Sequence, residues 1–136
     1  METRFEKFFT DFFKEEGASN ALIDEISKQL DFRLPNDYLD VMRAFNGGDG
    51  EIGENSYLVL FPINELIETN NDYELLMKQI PGFFLFGKDA ADTGYAFRKT
   101  DLSYHSFGLM SNFKTDFINY ISNDFEGFLN FLYKQA

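Results

Sequence analysis

The chain has one histidine, His105, in the run Ser103-Tyr104-His105-Ser106-Phe107, where small polar and aromatic residues alternate. A general base needs a substrate pocket and a carboxylate to orient its ring. A Ser-His-Asp set can be drawn on paper from any chain with one histidine, so the simpler reading is a strand residue, exposed or facing an edge. Three carboxylates, Asp49, Glu51 and Glu54, alternate within a glycine-rich segment and have the oxygens to hold Ca²⁺ or Mg²⁺. The segment lacks the twelve-position calcium-loop pattern, and a solvated loop explains it as well. Asp89 and Asp92, flanking Ala90-Ala91, form a second, weaker pair. Glycosidase chemistry needs two carboxyls ~5–9 Å apart across a sugar cleft, for which a small chain has little room. Gly47-Gly48-Asp49-Gly50 lacks the Lys-Ser/Thr of a phosphate loop and follows a helical pattern rather than a strand, which also removes a dinucleotide fingerprint. Cysteine is absent, so disulfides, thiolate nucleophiles and Cys-based zinc or iron-sulfur sites are excluded. These residues imply no cofactor, no metal and no enzyme. A small hydrolase using Asp49, Glu51, Glu54 or His105 stays open only if a deep pocket gathers those groups.

The elements that must position these groups follow from hydrophobic spacing. Phe5, Phe8, Phe9, Phe12 and Phe13 recur at spacings of three, one, three and one, which predicts one amphipathic helix whose stripe is either core or a partner surface. Ser19 or Asn20 caps a second helix with Leu22, Ile23, Ile26 and Leu30 on one face. Pro35 opens a third, with Tyr38, Leu39, Met42 and Phe45 buried. Asn46 and Gly47 stop it, one of them in the left-handed conformation. Residues 49–56 read as an exposed loop. Strands are expected at Tyr57–Phe61, Phe83–Phe86, Tyr95–Arg98 and Ser103–Met110, with a tight turn region at Gly87–Gly94. Asn64 caps a helix between the first two strands. Asp116–Ile121 is a short strand or a helix onset. Asn123 or Asp124 caps a closing helix with Phe125, Phe128, Leu129 and Leu132 inside. This order predicts a single α+β domain over residues 1–136, built on one mixed, mainly antiparallel sheet flanked by helices.

Composition narrows the partners. The chain of 136 residues carries 23 acidic and 12 basic side chains, a net charge of -11. Residues 1–68 hold 15 of the acids against 6 bases. Binding nucleic acid by phosphate neutralisation, or docking on an anionic membrane, needs the opposite sign. A basic protein partner fits it, although acidity that merely keeps the chain soluble fits equally. The charged start, Met1 to Lys7, lacks the apolar core of a secretory leader, and no apolar run is long enough to span a bilayer. The expectation is a cytoplasmic protein.

Leu34-Pro35-Asn36-Asp37-Tyr38 followed by Phe45-Asn46-Gly47-Gly48 resembles the signature of the SUKH superfamily. Leu58 with Leu60, then Ile63, Glu65-Leu66 and Asn70, are similar to its strand and following helix. Phe84–Gly87 with Asp89, Gly94, Tyr95, Ala96 and Phe97 is similar to its central hairpin, and Phe125, Phe128 and Leu129 to its closing helix. The turn Asp89-Ala90-Ala91-Asp92 departs from the pattern, where more glycine is expected. The resemblance, over roughly residues 20–133, implies a SUKH-like α+β fold and a non-enzymatic, protein-binding role. Bacterial members are commonly immunity proteins that neutralise a cognate toxin domain, often a nuclease. The alternative is a structural or regulatory scaffold domain without a toxin partner. A recognition surface is expected at Asp49, Glu51 and Glu54, with Tyr57 or Tyr38 at its border, and next at Asp89 and Asp92 or the phenylalanine stripe.

Overall fold

The computed structural model describes residues 1–135; Ala136, the last residue of the expected domain, lies outside the described residues. Seven strands form one sheet whose spatial order repeats the chain order, and all six pairings are antiparallel. They are β1 (Phe12–Lys14), β2 (Gly48–Ile52), β3 (Ser56–Leu60), β4 (Phe83–Lys88), β5 (Thr93–Arg98), β6 (Tyr104–Gly108) and β7 (Asn119–Ser122). The helices are α1 (Thr3–Glu6), α2 (Asn20–Ser27), α3 (Asn36–Ala44), α4 (Leu66–Asp72), α5 (Glu74–Met77) and α6 (Phe125–Tyr133). The expected α+β architecture, a largely antiparallel sheet flanked by helices, is present.

Period-two alternation sends neighbouring strand residues to opposite faces. Phe84, Phe86, Tyr95, Phe97 and Tyr104 point to one face, where they meet Phe5, Ile23, Tyr38, Met42, Phe125 and Phe128 from the helices. Phe86 and Phe97 stack with centroids 4.4 Å apart, and Tyr38 stands edge-on to Phe97 at 5.0 Å. Leu85, Ala96 and Phe107 point to the other face, under Leu76, Met77 and Ile80 and the segment that carries Phe113 and Ile118. Two caps are as the sequence predicts, Ser19 accepting from the Leu22 N–H and Asp124 from the Gly127 N–H at 2.7 Å, whereas Asn64 caps no helix: it lies inside a 3-10 turn (Ile63–Glu65) that leads into α4, and its side-chain oxygen accepts from Asn46 instead.

Four other expectations change. The phenylalanine stripe is not one helix: α1 runs into a 3-10 turn at Lys7–Phe9, and the chain then extends as β1. Phe5, Phe8, Phe9 and Phe12 are buried, whereas Phe13 is 69% exposed, because Phe12 and Phe13 lie on opposite faces of a strand. The expected loop at 49–56 is largely β2. Its glycines let strands approach: a Cβ on Gly48 or Gly50 would strike the backbone of Phe13 or Asp11 on the neighbouring strand. The turn region at Gly87–Gly94 shrinks to residues 89–92, since Gly87 and Lys88 pair in β4 and Thr93 and Gly94 in β5. His105 is neither exposed nor at an edge; it lies between β5 and β7 and is buried. Of the two readings of 116–121, the strand is the one formed.

Candidate interaction face

The cluster on the second face ends at β4. Beyond it, Phe13, Asp49, Glu51, Tyr57 and Val59 occupy the same side of β1–β3 and belong to neither apolar cluster. Register sets them in two rows. Phe13, Asp49, Val59 and Lys88 stand directly across from one another on four successive strands. Glu51 stands opposite Tyr57. The Tyr57 hydroxyl donates to the Asp49 carboxylate. That bond, with lesser help from partial burial and the nearby acids, raises the Tyr57 pKa above the ordinary phenol value. Glu54 is exposed on the β2–β3 turn, at the rim of this face.

The turn is fixed from below. Gly53 has φ +71 and packs against the Tyr133 backbone, which a side chain would strike. The Ser56 hydroxyl donates to the Leu132 carbonyl at 2.7 Å. The carboxylates therefore sit on a strand pair whose backbone is anchored to α6.

The remaining expected site residues do not join them. Tyr38 is fully buried on the inner face of α3, and its hydroxyl has no hydrogen-bond partner among the described residues. Burial pushes its pKa well up. It cannot border a recognition surface, because its helix face also carries Leu39, Val41 and Met42 into the core. Asp89 serves its own turn, accepting from the Ala91 and Thr93 N–H groups at 2.8 and 3.0 Å. Asp92 lines a separate hollow with Met110 and Phe117. Phe13 is expected from the sequence only as part of a helical stripe that is either core or a partner surface; of its five phenylalanines the structure leaves Phe13 alone exposed, on this face.

His105 heads an array that runs from the core out to the surface. The Ser103 hydroxyl donates to Asp101 at 2.6 Å and lies 2.7 Å from the His105 Nε2, while Asp101 pairs with Arg98. The serine has one proton and gives it to the carboxylate, so Nε2 carries the hydrogen of this contact. The order is Asp-Ser-His rather than Asp-His-Ser: the carboxylate holds the hydroxyl, and the imidazole does not activate it. Arg98, with help from Ser103, holds the Asp101 carboxyl well below its usual range. Burial and the Arg98 charge lower the His105 pKa. Ser103 and His105 are buried, while Asp49, Glu51 and Glu54 lie on other elements, so among the described residues these five groups do not share one pocket.

Among the described residues, no group of three Asp, Glu or His is placed to hold a metal ion, and no helix is long and apolar enough to cross a membrane. The signature residues of the sequence brace the fold instead. Asp37 accepts from the Tyr38 and Phe125 N–H groups, each at 2.8 Å, and so ties α3 to the start of α6. Asn46 bonds the Ile63 N–H and the Asn64 side chain, and Asn70 bonds both the N–H and the carbonyl of Leu85. Residues 17–130 match the model of the SMI1/KNR4 family (SUKH-1). The chain belongs to this family. No curated protein matches it. In this SUKH-1 chain the matched region contains the whole of the sheet except β1, together with the Asp49–Tyr57 face.

Proposed function

We propose that this SUKH-1 chain is a non-enzymatic, protein-binding module of the immunity type, which binds and neutralises a cognate toxin domain in the cytoplasm. Family membership over residues 17–130 carries the reading, since such domains are known generally as non-enzymatic and immunity-type. The partner is basic, as a nuclease that must hold phosphates is, and meets the face of Asp49, Glu51 and Glu54 with Tyr57 and Phe13 at its centre. Anchored carboxylates steer a basic partner and raise association rates by ~10–10³ at low salt. The two aromatic rings supply apolar area that ordered strands already hold in position.

The test is a search of the neighbouring genes for a toxin domain and coexpression of any such domain with this chain. Rescue of growth together with a purified complex supports the reading; a complex without rescue points to a scaffold role, and the absence of both overturns it. In the complex, Asp49→Asn, Glu51→Gln, Glu54→Gln together should slow association about tenfold at low salt. The gap should narrow as added salt shortens the screening length toward ~8 Å. Rates equal to the parent's in both buffers, with the fold intact, remove this face from the interface.

A further inference from the structure

A second concave surface lies toward the other end of the sheet. One hollow of about 410 Å³ opens between α5 and the chain leaving β6. Met110 and Ser111 join it to another of about 440 Å³ beside β7. Three large apolar side chains stand out along this strip: Leu75 is 75% exposed, Phe117 83% and Met110 88%. They are held there by an ordered backbone. The Asn112 N–H bonds the Asp116 carboxylate and the Asp116 N–H bonds the Asn112 carbonyl, both at 2.8 Å. The Phe113 N–H bonds the Gln79 side chain at 3.0 Å, while Phe113 and Ile118 pack inward against the second cluster. With Phe113 and Ile118 turned in, Met110 and Phe117 are turned out.

The charges that line the two hollows have one sign, although Lys114 is exposed on the turn beside them. Asp72, Glu74, Asp92 and Asp116 line the two hollows, and no Lys or Arg does. By contrast, the β2–β3 face has Lys88 at the end of its row. A second copy would bring the same carboxylates against these, and an anionic surface would be repelled. A partner segment with apolar side chains on one side and Lys or Arg on the other meets both features.

We propose that this strip is a docking site for a basic amphipathic segment of a partner protein, with apolar side chains seated against Leu75, Met110 and Phe117 and cations facing the four carboxylates. It is separate from the β2–β3 face and stands whether or not the partner there is a toxin. A backbone already held in place lowers the ordering cost of binding, and covering the three side chains removes their apolar area from water.

The test uses a 14-residue helical peptide of Leu and Lys with all Leu on one side, titrated into the ¹⁵N-labelled chain. Shift changes should gather at residues 72–76 and 109–117. Met110→Ser with Phe117→Ser should weaken binding at least tenfold; both side chains are exposed, so the urea midpoint should stay at the parent's. Asp72→Asn, Glu74→Gln, Asp92→Asn together should weaken it chiefly at low salt. Shifts spread evenly over all acidic surfaces, equal affinity in the apolar variant, or equal affinity for a scrambled peptide without an apolar side would overturn the proposal. So would a parent dimer in sedimentation that the apolar substitutions dissociate, which would make the occupant a second copy.

Discussion

Replacing Asp37 should reveal how much of this fold hangs on one carboxylate. Its Oδ2 accepts the Phe125 N–H at 2.8 Å; its Oδ1 accepts the Tyr38 N–H at 2.8 Å and the Tyr104 hydroxyl at 3.4 Å. Phe125 and Tyr104 are buried, so Asp37→Ala leaves two donors with poor access to water. Leaving a buried donor unpaired costs ~1–3 kcal/mol. The Phe125 bond, short and to a charged group, belongs near the top of that range, and the long Tyr104 bond near the bottom. The Tyr38 N–H opens α3 and adds ~0.5–2 kcal/mol, as a lost cap does. The loss should total ~4–6 kcal/mol, a large part of the ~5–15 kcal/mol that holds a typical domain. Asp37→Asn keeps one acceptor oxygen but turns an NH₂ toward a donor, and should lose about half as much. Urea unfolding reads both, with slopes unchanged. A loss below ~1 kcal/mol for Asp37→Ala would refute the reasoning, because the α3–α6 tie would then be replaceable by solvent.

Two further outcomes are expected. Gly47 has φ +84, and a Cβ there would come within 2.7 Å of the Leu60 carbonyl oxygen, so Gly47→Val should destabilise by at least ~2 kcal/mol; a urea midpoint equal to the parent's contradicts this. Because folding lowers the His105 pKa from 6.5, the unfolded chain takes up its proton first as pH falls. Stability from neutral His105 is therefore present above pH 6.5 and declines below it. The midpoint measured at pH 7.5 and 5.5 should fall more in the parent than in His105→Gln; parallel pH dependence in the two would show that burial does not bias the ring.

The parts legible in the sequence were those where one period or one cap acts alone. Ser19 and Asp124 cap their helices because their side-chain oxygens meet the orphan N–H groups of a first turn. The β4–β5 hairpin was visible in Phe84, Phe86, Tyr95 and Phe97. The phenylalanine stripe misled because Phe5, Phe8 and Phe9 fit a helical turn while Phe12 and Phe13 fit a strand, and five like residues do not show where the period changes. β2 was hidden because Gly48-Asp49-Gly50-Glu51 has the composition of a loop. Its glycines answer to the backbone of β1, a neighbour far away in sequence. His105 looked peripheral because strand order, which places β7 outside β6, is not written in local spacing. For the candidate face, the sequence named Asp49, Glu51, Glu54 and Tyr57; it could not add Phe13 without β1.

The two ends of the described chain close on each other. Phe5 packs on Phe125 with centroids 5.9 Å apart, Arg4 reaches Glu126 at 3.0 Å, and Phe8 meets Tyr133. During synthesis, the hairpins from β2 to β6 can pair as they leave the ribosome, but the aromatic core must wait for α6. At roughly 5–20 residues per second, Phe5 and Phe8 wait on the order of ten seconds for their ring partners in α6, whereas Phe9 and Phe12 meet Phe45 much earlier. The nascent chain thus leaves these two rings uncovered longest, and its yield in the cell should depend on whatever shields them until α6 has been made.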